Sequence, residues 1–350
     1  MSIAEHVDPD RRPRFVHLPS LALAAAMAPA LGGRGGASYL DLPCRSLLNR
    51  CDSPGMPFEW TINPYRGCEF GCRYCYARYT HAFIGIEDPR LFETRIYAKR
   101  GAAEALGRDL VRLRGRPGAI AIGTATDAYQ PAERAFGVTR RILELLARQE
   151  GLSLSITTKS DLVTRDLDLL CEIGRRNRLE VNLTITTPSR RLARLLEPRA
   201  PEPARRLEAV GALARKGIST GVMIMPVLPG ITDAPDSLEA IIAAAARRGA
   251  ARVVHQVLFL RSSTREAFDP FLAERFPRLA PRYRRIYGGT PFHSIEYRAR
   301  VRGLVHALRR SHGFGDPEED RQGCAERAVG LTARCGSEPR AAGDQLALGF

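Results

Sequence analysis

Three cysteines, Cys68, Cys72 and Cys75, fall within one short segment, NPYRGCEFGCRYCYAR. Thiolates are the usual ligands of iron–sulfur clusters, and a cubane held entirely by protein takes four of them. Three at the spacing C-x3-C-x2-C can wrap one corner of a 4Fe–4S cluster and leave its fourth iron open. An open position on a metal centre marks a site that binds substrate or cofactor. Gly67 and Gly71 suit the same purpose, because a loop folded around a cluster needs residues free of Cβ clashes. A zinc knuckle would need a fourth ligand, for which only His81 is nearby, and C-x3-C is not a zinc-ribbon spacing. A disulfide framework would suit a secreted, cysteine-dense chain, which eight cysteines in 350 residues do not make.

The loop needs a scaffold, and the flanking pattern supplies one. EWTIN (59–63), AIAIGTATD (119–127), LSLSITTKS (152–160), EVNLTITT (180–187), STGVMIMPV (219–227) and VVHQVLFL (253–260) are near-continuous apolar or β-branched runs. That is the pattern of parallel strands buried on both faces. Helical stretches at 102–114, 139–149, 167–177, 204–217 and 237–249 separate them, several ending in basic residues and glycine. Six β/α units in succession predict an α/β fold, a partial (β/α)6 barrel of the TIM type. Further helices are expected at 265–287 and 296–312. The folded domain is expected over 38–312, between a flexible tail at 1–37 and a disordered one at 313–350. In such barrels the chemistry sits at the C-terminal ends of the strands. The cluster loop follows the first strand, so it falls there, together with Thr124–Asp127, Thr158–Ser160, Thr184–Thr187 and Met225–Leu228.

Charge narrows the partners. Fifty-three basic residues against 38 acidic ones leave a net charge of +15, which suits a polyanion such as DNA. Only Lys99, Lys159 and Lys216 are lysines, an arginine bias typical of a GC-rich genome. The pair Arg11-Arg12 ahead of LALAAAMAPAL resembles a twin-arginine export signal, but Pro13 and the neighbouring acidic residues spoil the pattern. No run approaches the roughly 20 apolar residues of a membrane span. A reducing cytoplasm is the expected compartment, with no membrane partner.

Tyr74 completes a C-x3-C-x-aromatic-C pattern. Together with GTATDAYQPAE (123–133), TTKSDLVTRDLDLL (157–170), TITTPSRRLARLLEPRAP (184–201) and GVMIMPVLPGITD (221–233), the cysteine loop resembles the spore photoproduct lyase-like branch of the radical S-adenosylmethionine (SAM) superfamily. The resemblance covers about residues 38 to 310 and implies one 4Fe–4S cluster per chain, ligated by Cys68, Cys72 and Cys75, with SAM as cofactor. It implies that the reduced cluster cleaves SAM to a 5′-deoxyadenosyl radical that takes hydrogen from a substrate. An external one-electron donor of the flavodoxin or ferredoxin type is implied with it. Tyr74 would lie against the adenine, and the run holding Thr124, Thr126 and Asp127 would receive the methionine amino group. Asp127 would accept from that ammonium or cap the following helix. Lys159 would meet the SAM carboxylate or stand as a solvated lysine. Thr184 and Thr186 would bond the ribose hydroxyls or simply suit a strand. DNA or a DNA lesion is the expected substrate. Radical modification of RNA, a peptide or a metabolite stays open at this level, as does a structural or redox-sensing cluster in a nucleic-acid-binding protein.

The final residues carry a separate signal. Gln345, Leu346, Leu348 and Phe350 in QLALGF fit the Q-L-x-L-x-F pattern of bacterial sliding-clamp-binding peptides. A flexible linker ahead of such a peptide raises the local concentration of its protein on DNA. The sliding clamp is therefore an expected partner, against the alternative of a chance apolar end.

Overall fold

All six apolar runs become strands: β1 (Trp60–Ile62), β2 (Ala119–Ile122), β3 (Ser153–Thr158), β4 (Arg178–Thr184), β5 (Ser219–Val227) and β6 (Arg252–Val257). The computed structural model describes residues 19–53, 56–114 and 117–315. The strands pair in parallel and in chain order, with an unexpected antiparallel edge strand, Leu48–Arg50, beside β1. Successive strands are joined through helices, Ala102–Arg112, Val138–Leu146, Leu167–Arg176, Pro203–Arg215 and Pro235–Arg247, which makes the open (β/α)6 barrel. Ile122, Ile156, Val181, Leu183, Val222 and Ile224 are at most 1% exposed. These strands are therefore covered on both faces, as near-continuous apolar runs require.

Strands end where the backbone must turn. β2 stops at Ile122 because Gly123 adopts φ +87°, a conformation open to glycine at little cost. A Cβ there would lie 2.6 Å from the Thr157 carbonyl oxygen. The polar run Thr124–Asp127, expected within the strand, is thus a loop at its C-terminal end.

Beyond the barrel, the helix expected over 265–287 is two helices, Ser262–Arg275 and Ala280–Tyr287. Phe276 and Pro277 lie between them, and the residue before a proline is disfavoured in helical conformation. Helix Ile295–Ser311 packs on Pro235–Arg247 and β6. These additions create a second apolar cluster, in which Phe268, Leu272, Tyr283 and Tyr287 meet Phe70, Cys72 and Tyr74 of the cysteine loop.

Both expected tail boundaries move. Residues 19–37, expected to be flexible, form helix Pro19–Ala26 and strand Ala30–Arg34, which pairs antiparallel with Ala37–Asp41. The alanine-rich run helps to bury a small apolar cluster, Ala25 and Leu21 with Leu42, Ile84 and Tyr97. Gly35 and Gly36, both at positive φ, make the two-residue hairpin turn that such a pair favours. At the other end Phe314 is buried in the main core. Cys324, Cys335 and the QLALGF peptide lie outside the described residues.

The two substitutions Gly123→Ala and Gly151→Ala separate strain from crowding. Gly151 also has positive φ (+74°), but no atom lies within 4 Å of a Cβ placed there. Gly151→Ala should therefore lose only the left-handed penalty of about 1–2 kcal/mol. Gly123→Ala should lose clearly more, since the β3 backbone must move as well. Equal losses in denaturant unfolding would remove the close-contact explanation for the end of β2.

Candidate functional site

The cysteine loop is held through its own backbone. Cys68 N–H donates to the Phe92 carbonyl at 2.9 Å, and Arg73 N–H to that of Leu196 at 2.9 Å. Thr126 Oγ1 and Gln130 Nε2 both donate to the Gly67 carbonyl, at 2.6 and 3.0 Å. Gln130 Oε1 accepts from Glu69 N–H at 2.9 Å. The fully buried Arg78 donates to the carbonyls of Cys72 (3.1 Å) and Pro89 (2.9 Å). Thr264, in the first turn of the helix after β6, donates to the Cys75 carbonyl at 3.3 Å. Gly67 has φ +83°, and a Cβ on it would come within 2.9 Å of the Arg95 and Phe92 carbonyls. No larger residue fits there.

All three thiols are free. Burial pushes those of Cys68 and Cys72 up, Cys72 to about 12. Thiolates at such positions need strong positive charge, which metal coordination supplies, since a coordinated thiol is deprotonated outright. Among the described residues no three His, Cys, Asp or Glu side chains gather as ligands of one metal ion. Cysteines that each bind a different iron of a cubane need not converge. Three thiols in one short loop are a donor set that fits a cluster.

Beside the thiols lies a buried polar group. Glu197, 2% exposed, receives the Tyr74 hydroxyl and, at 2.8 Å, that of Thr186. Its other oxygen pairs with the guanidinium of Arg206, itself 1% exposed. Arg206 also donates to the carbonyls of Thr184 (3.0 Å) and Pro201 (2.7 Å). Burial alone would raise the Glu197 pKa, but Arg206 and Lys159 outweigh it and hold the carboxyl below its usual range. The Lys159 ammonium stands 5.8 Å from the centre of the Tyr74 ring. Burial acts to lower its pKa, yet Cys72 and Glu197 prevail and raise it. Lys159 is charged.

Asp127 ties β2 to β3. Its oxygens accept from Thr158 Oγ1 (2.6 Å) and from the N–H groups of Lys159 (2.7 Å) and Tyr129 (2.9 Å). Burial pushes its pKa up and these bonds oppose the push. Three bonds leave one of about four acceptor positions on the carboxylate.

The structure thus brings Thr186 and Lys159 together around Tyr74, with Lys159 near Cys72 and Asp127 bonded to the Lys159 backbone. It turns Thr126 away, into the loop contact described above. Thr124 is held by Asn63, which donates to its hydroxyl at 3.2 Å, and its carbonyl accepts from the Tyr76 hydroxyl. Thr184 is buried, with its carbonyl on Arg206. Glu197 and Arg206 were missed in the sequence, although a signal was present. Arg206 shares the buried stripe of its helix with Ala209, Val210 and Leu213. A charged residue on an apolar face needs a partner.

Comparison with known proteins agrees with this geometry. The family description "Radical SAM superfamily" matches residues 62–255. An uncharacterised protein of Mycobacterium tuberculosis is 35% identical over 274 residues, 78% of this chain and 80% of that one. Another from Methanocaldococcus jannaschii is 32% identical over 197 residues, 55% of this chain and 69% of its own. Spore photoproduct lyase, solved in complex with dinucleoside spore photoproduct, superposes with a TM-score of 0.59 at 15% identity, covering 79% of each chain. That likeness shows a shared fold. The chain belongs to the radical SAM superfamily, whose members use a 4Fe–4S cluster and SAM.

The buried pair generates a stability test. Glu197→Ala or Arg206→Ala leaves one charge buried alone and should cost about 3–5 kcal/mol. Replacing both residues together, Glu197→Leu with Arg206→Met, should cost less than either single change. A double variant whose loss equals the sum of the singles would show that the two charges do not depend on each other.

Proposed function

We propose that this radical SAM enzyme acts on DNA, abstracting hydrogen from a base or a lesion, in a reducing cytoplasm. One observation carries the reading of the site: three free thiols, a charged lysine and two acids gather at the C-terminal ends of adjacent parallel strands. That is where a parallel barrel places its chemistry. Cys68, Cys72 and Cys75 would hold the cluster by three thiolates. Lys159 would face the SAM carboxylate as a compact point charge. Asp127 has one acceptor position left for an ammonium. Tyr74, tied down by Glu197 and Thr186, would offer its ring to the adenine. Thr184 at the end of β4 and Thr186 just beyond it would bond the ribose hydroxyls. When bound, the cluster and SAM together supply a one-electron reduction and a carbon radical able to take hydrogen. Phe70, Leu258, Leu260 and Phe268 pack under the loop, and such a shell keeps water from the reacting groups.

DNA is supported by the charge of +15 and by the likeness in fold to a lyase solved with dinucleoside spore photoproduct. An electron carrier of the flavodoxin or ferredoxin type would deliver the electron. The terminal QLALGF would bind the bacterial sliding clamp through Leu346, Leu348 and Phe350, with Gln345 at the rim of the pocket. Among the described residues no helix is long and apolar enough to cross a membrane.

Anaerobically reconstituted protein should carry about four irons per chain and release 5′-deoxyadenosine with dithionite and SAM. Cys68→Ala, Cys72→Ala and Cys75→Ala should each abolish that release, and full cleavage by any of them would sink the ligand assignment. Lys159→Ala should raise the SAM dissociation constant roughly tenfold or more, since a charged hydrogen bond contributes about 1.5–3 kcal/mol. Unchanged affinity would return Lys159 to a purely structural role.

Truncation after Asp344 should abolish clamp binding and leave iron content untouched. Clamp affinity that survives the truncation, measured by surface plasmon resonance, would end the recruitment idea.

A further inference from the structure

At the barrel mouth three aromatic rings form a step that nothing in the cofactor site uses. Tyr76 directly follows Cys75, and its hydroxyl is fixed on the Thr124 carbonyl. Its ring centre lies 5.6 Å from that of Phe259, which follows β6, and Phe259 lies 6.0 Å from Phe292. The last two residues pair as an antiparallel bridge, reinforced by Leu260 N–H donating to the Pro291 carbonyl at 2.8 Å. The step is therefore built on rigid backbone. Interplanar angles of 40° and 32° make the rings tilted neighbours and not edge-to-face core pairs. Tyr76 is 38% exposed and Phe292 48%. Phe259 between them is half-buried, and aromatic surface exposed on both sides of it, beside the barrel mouth, suits an interaction site.

Arginine borders the rings. The exposed Arg298 lies 5.7 Å from the Phe292 ring centre, and the exposed Arg261 5.1 Å from that of Tyr79, three residues beyond Tyr76. Neither forms an ion pair among the described residues. Arg298 Nε donates to the His293 carbonyl at 3.1 Å, which holds the side chain beside the Phe292 ring. Aromatic faces bordered by exposed guanidinium groups are the two parts of a single-strand nucleic-acid site, one for base stacking and one for phosphate.

We infer that Tyr76, Phe259 and Phe292 are a stacking step for an unpaired nucleobase, with Arg261 and Arg298 on the flanking phosphates. This rests on the nucleic-acid reading above and adds to it: the substrate is taken single-stranded or with its base turned out of the helix. A base inside a duplex has both faces covered by its neighbours and cannot stack on a protein ring without leaving the helix. The step starts at the residue after the third cysteine, so a base stacked on Tyr76 lies against the cofactor loop.

The test is fluorescence anisotropy with a labelled single-stranded oligodeoxynucleotide, its duplex and an abasic strand, using full-length reconstituted protein. The single strand should bind more tightly than the duplex, and the abasic strand more weakly than the intact one. Phe292→Ala, at an exposed position, should weaken single-strand binding by roughly tenfold with iron content unchanged, and Phe292→Trp should restore it. Arg298→Ala should lower the slope of log affinity against log salt by about one, whereas Phe292→Ala should leave that slope alone. Parent and Phe292→Ala binding the single strand equally would overturn the step while leaving the nucleic-acid reading in place. A parent protein that binds no oligonucleotide of any form would overturn both.

Discussion

Everything at this site depends on keeping a short, thiol-bearing loop open. Without its anchors the segment around Cys68, Cys72 and Cys75 would collapse onto its own backbone or pair its cysteines. The carbonyls of Gly67, Phe70, Cys72 and Cys75 and the N–H groups of Cys68, Glu69 and Arg73 are all bonded to neighbouring elements. The partners come from the β2 loop, the segment before Arg95, the chain after β4 and the helix after β6. A loop gripped from so many directions has its ordering entropy removed before any cofactor arrives. Preorganisation of this kind is what a rigid first shell needs.

Electrostatics is the second layer. Two of the thiols stand where burial strongly opposes their ionisation. The positive charge nearby is Lys159 and Arg206, and the negative charge is Asp127 beside Cys68 and Glu197 beside Cys72. Arg206 pairs with Glu197, and the Lys159 ammonium stands over the Tyr74 ring. The buried pair thus matters less as a source of stability, which such pairs seldom provide, than as a fixed frame for Tyr74 and Thr186. The surrounding aromatic and leucine side chains keep that frame in a medium where its charges act strongly.

Much of this was legible in the residues. The six parallel strands followed from unbroken apolar runs such as AIAI and SITT, because strands covered on both faces leave no room for alternation. The cysteine spacing led to the cofactors, and Lys159 stood out in a chain that otherwise prefers arginine. Other features depend on contacts between distant segments, which no local pattern records. Thr126 was expected at the cofactor because the resemblance places the TATD run there, but Gly123 turns the chain and the Thr126 hydroxyl donates to the Gly67 carbonyl. Helix Pro19–Ala26 looked like a loose tail because alanine carries little apolar signal. It is ordered by burial against Ile84 and Tyr97. Arg206 hid among many arginines, and its place on a buried stripe alone distinguished it.

The central claim is that Cys68, Cys72 and Cys75 hold a cubane whose remaining iron is open to SAM. Electron paramagnetic resonance of the dithionite-reduced, anaerobically reconstituted protein tests it directly. The account predicts the spectrum of a reduced 4Fe–4S cluster that changes on adding SAM, because the cofactor coordinates one iron. The same cluster spectrum with and without SAM would show no open iron and would contradict the account.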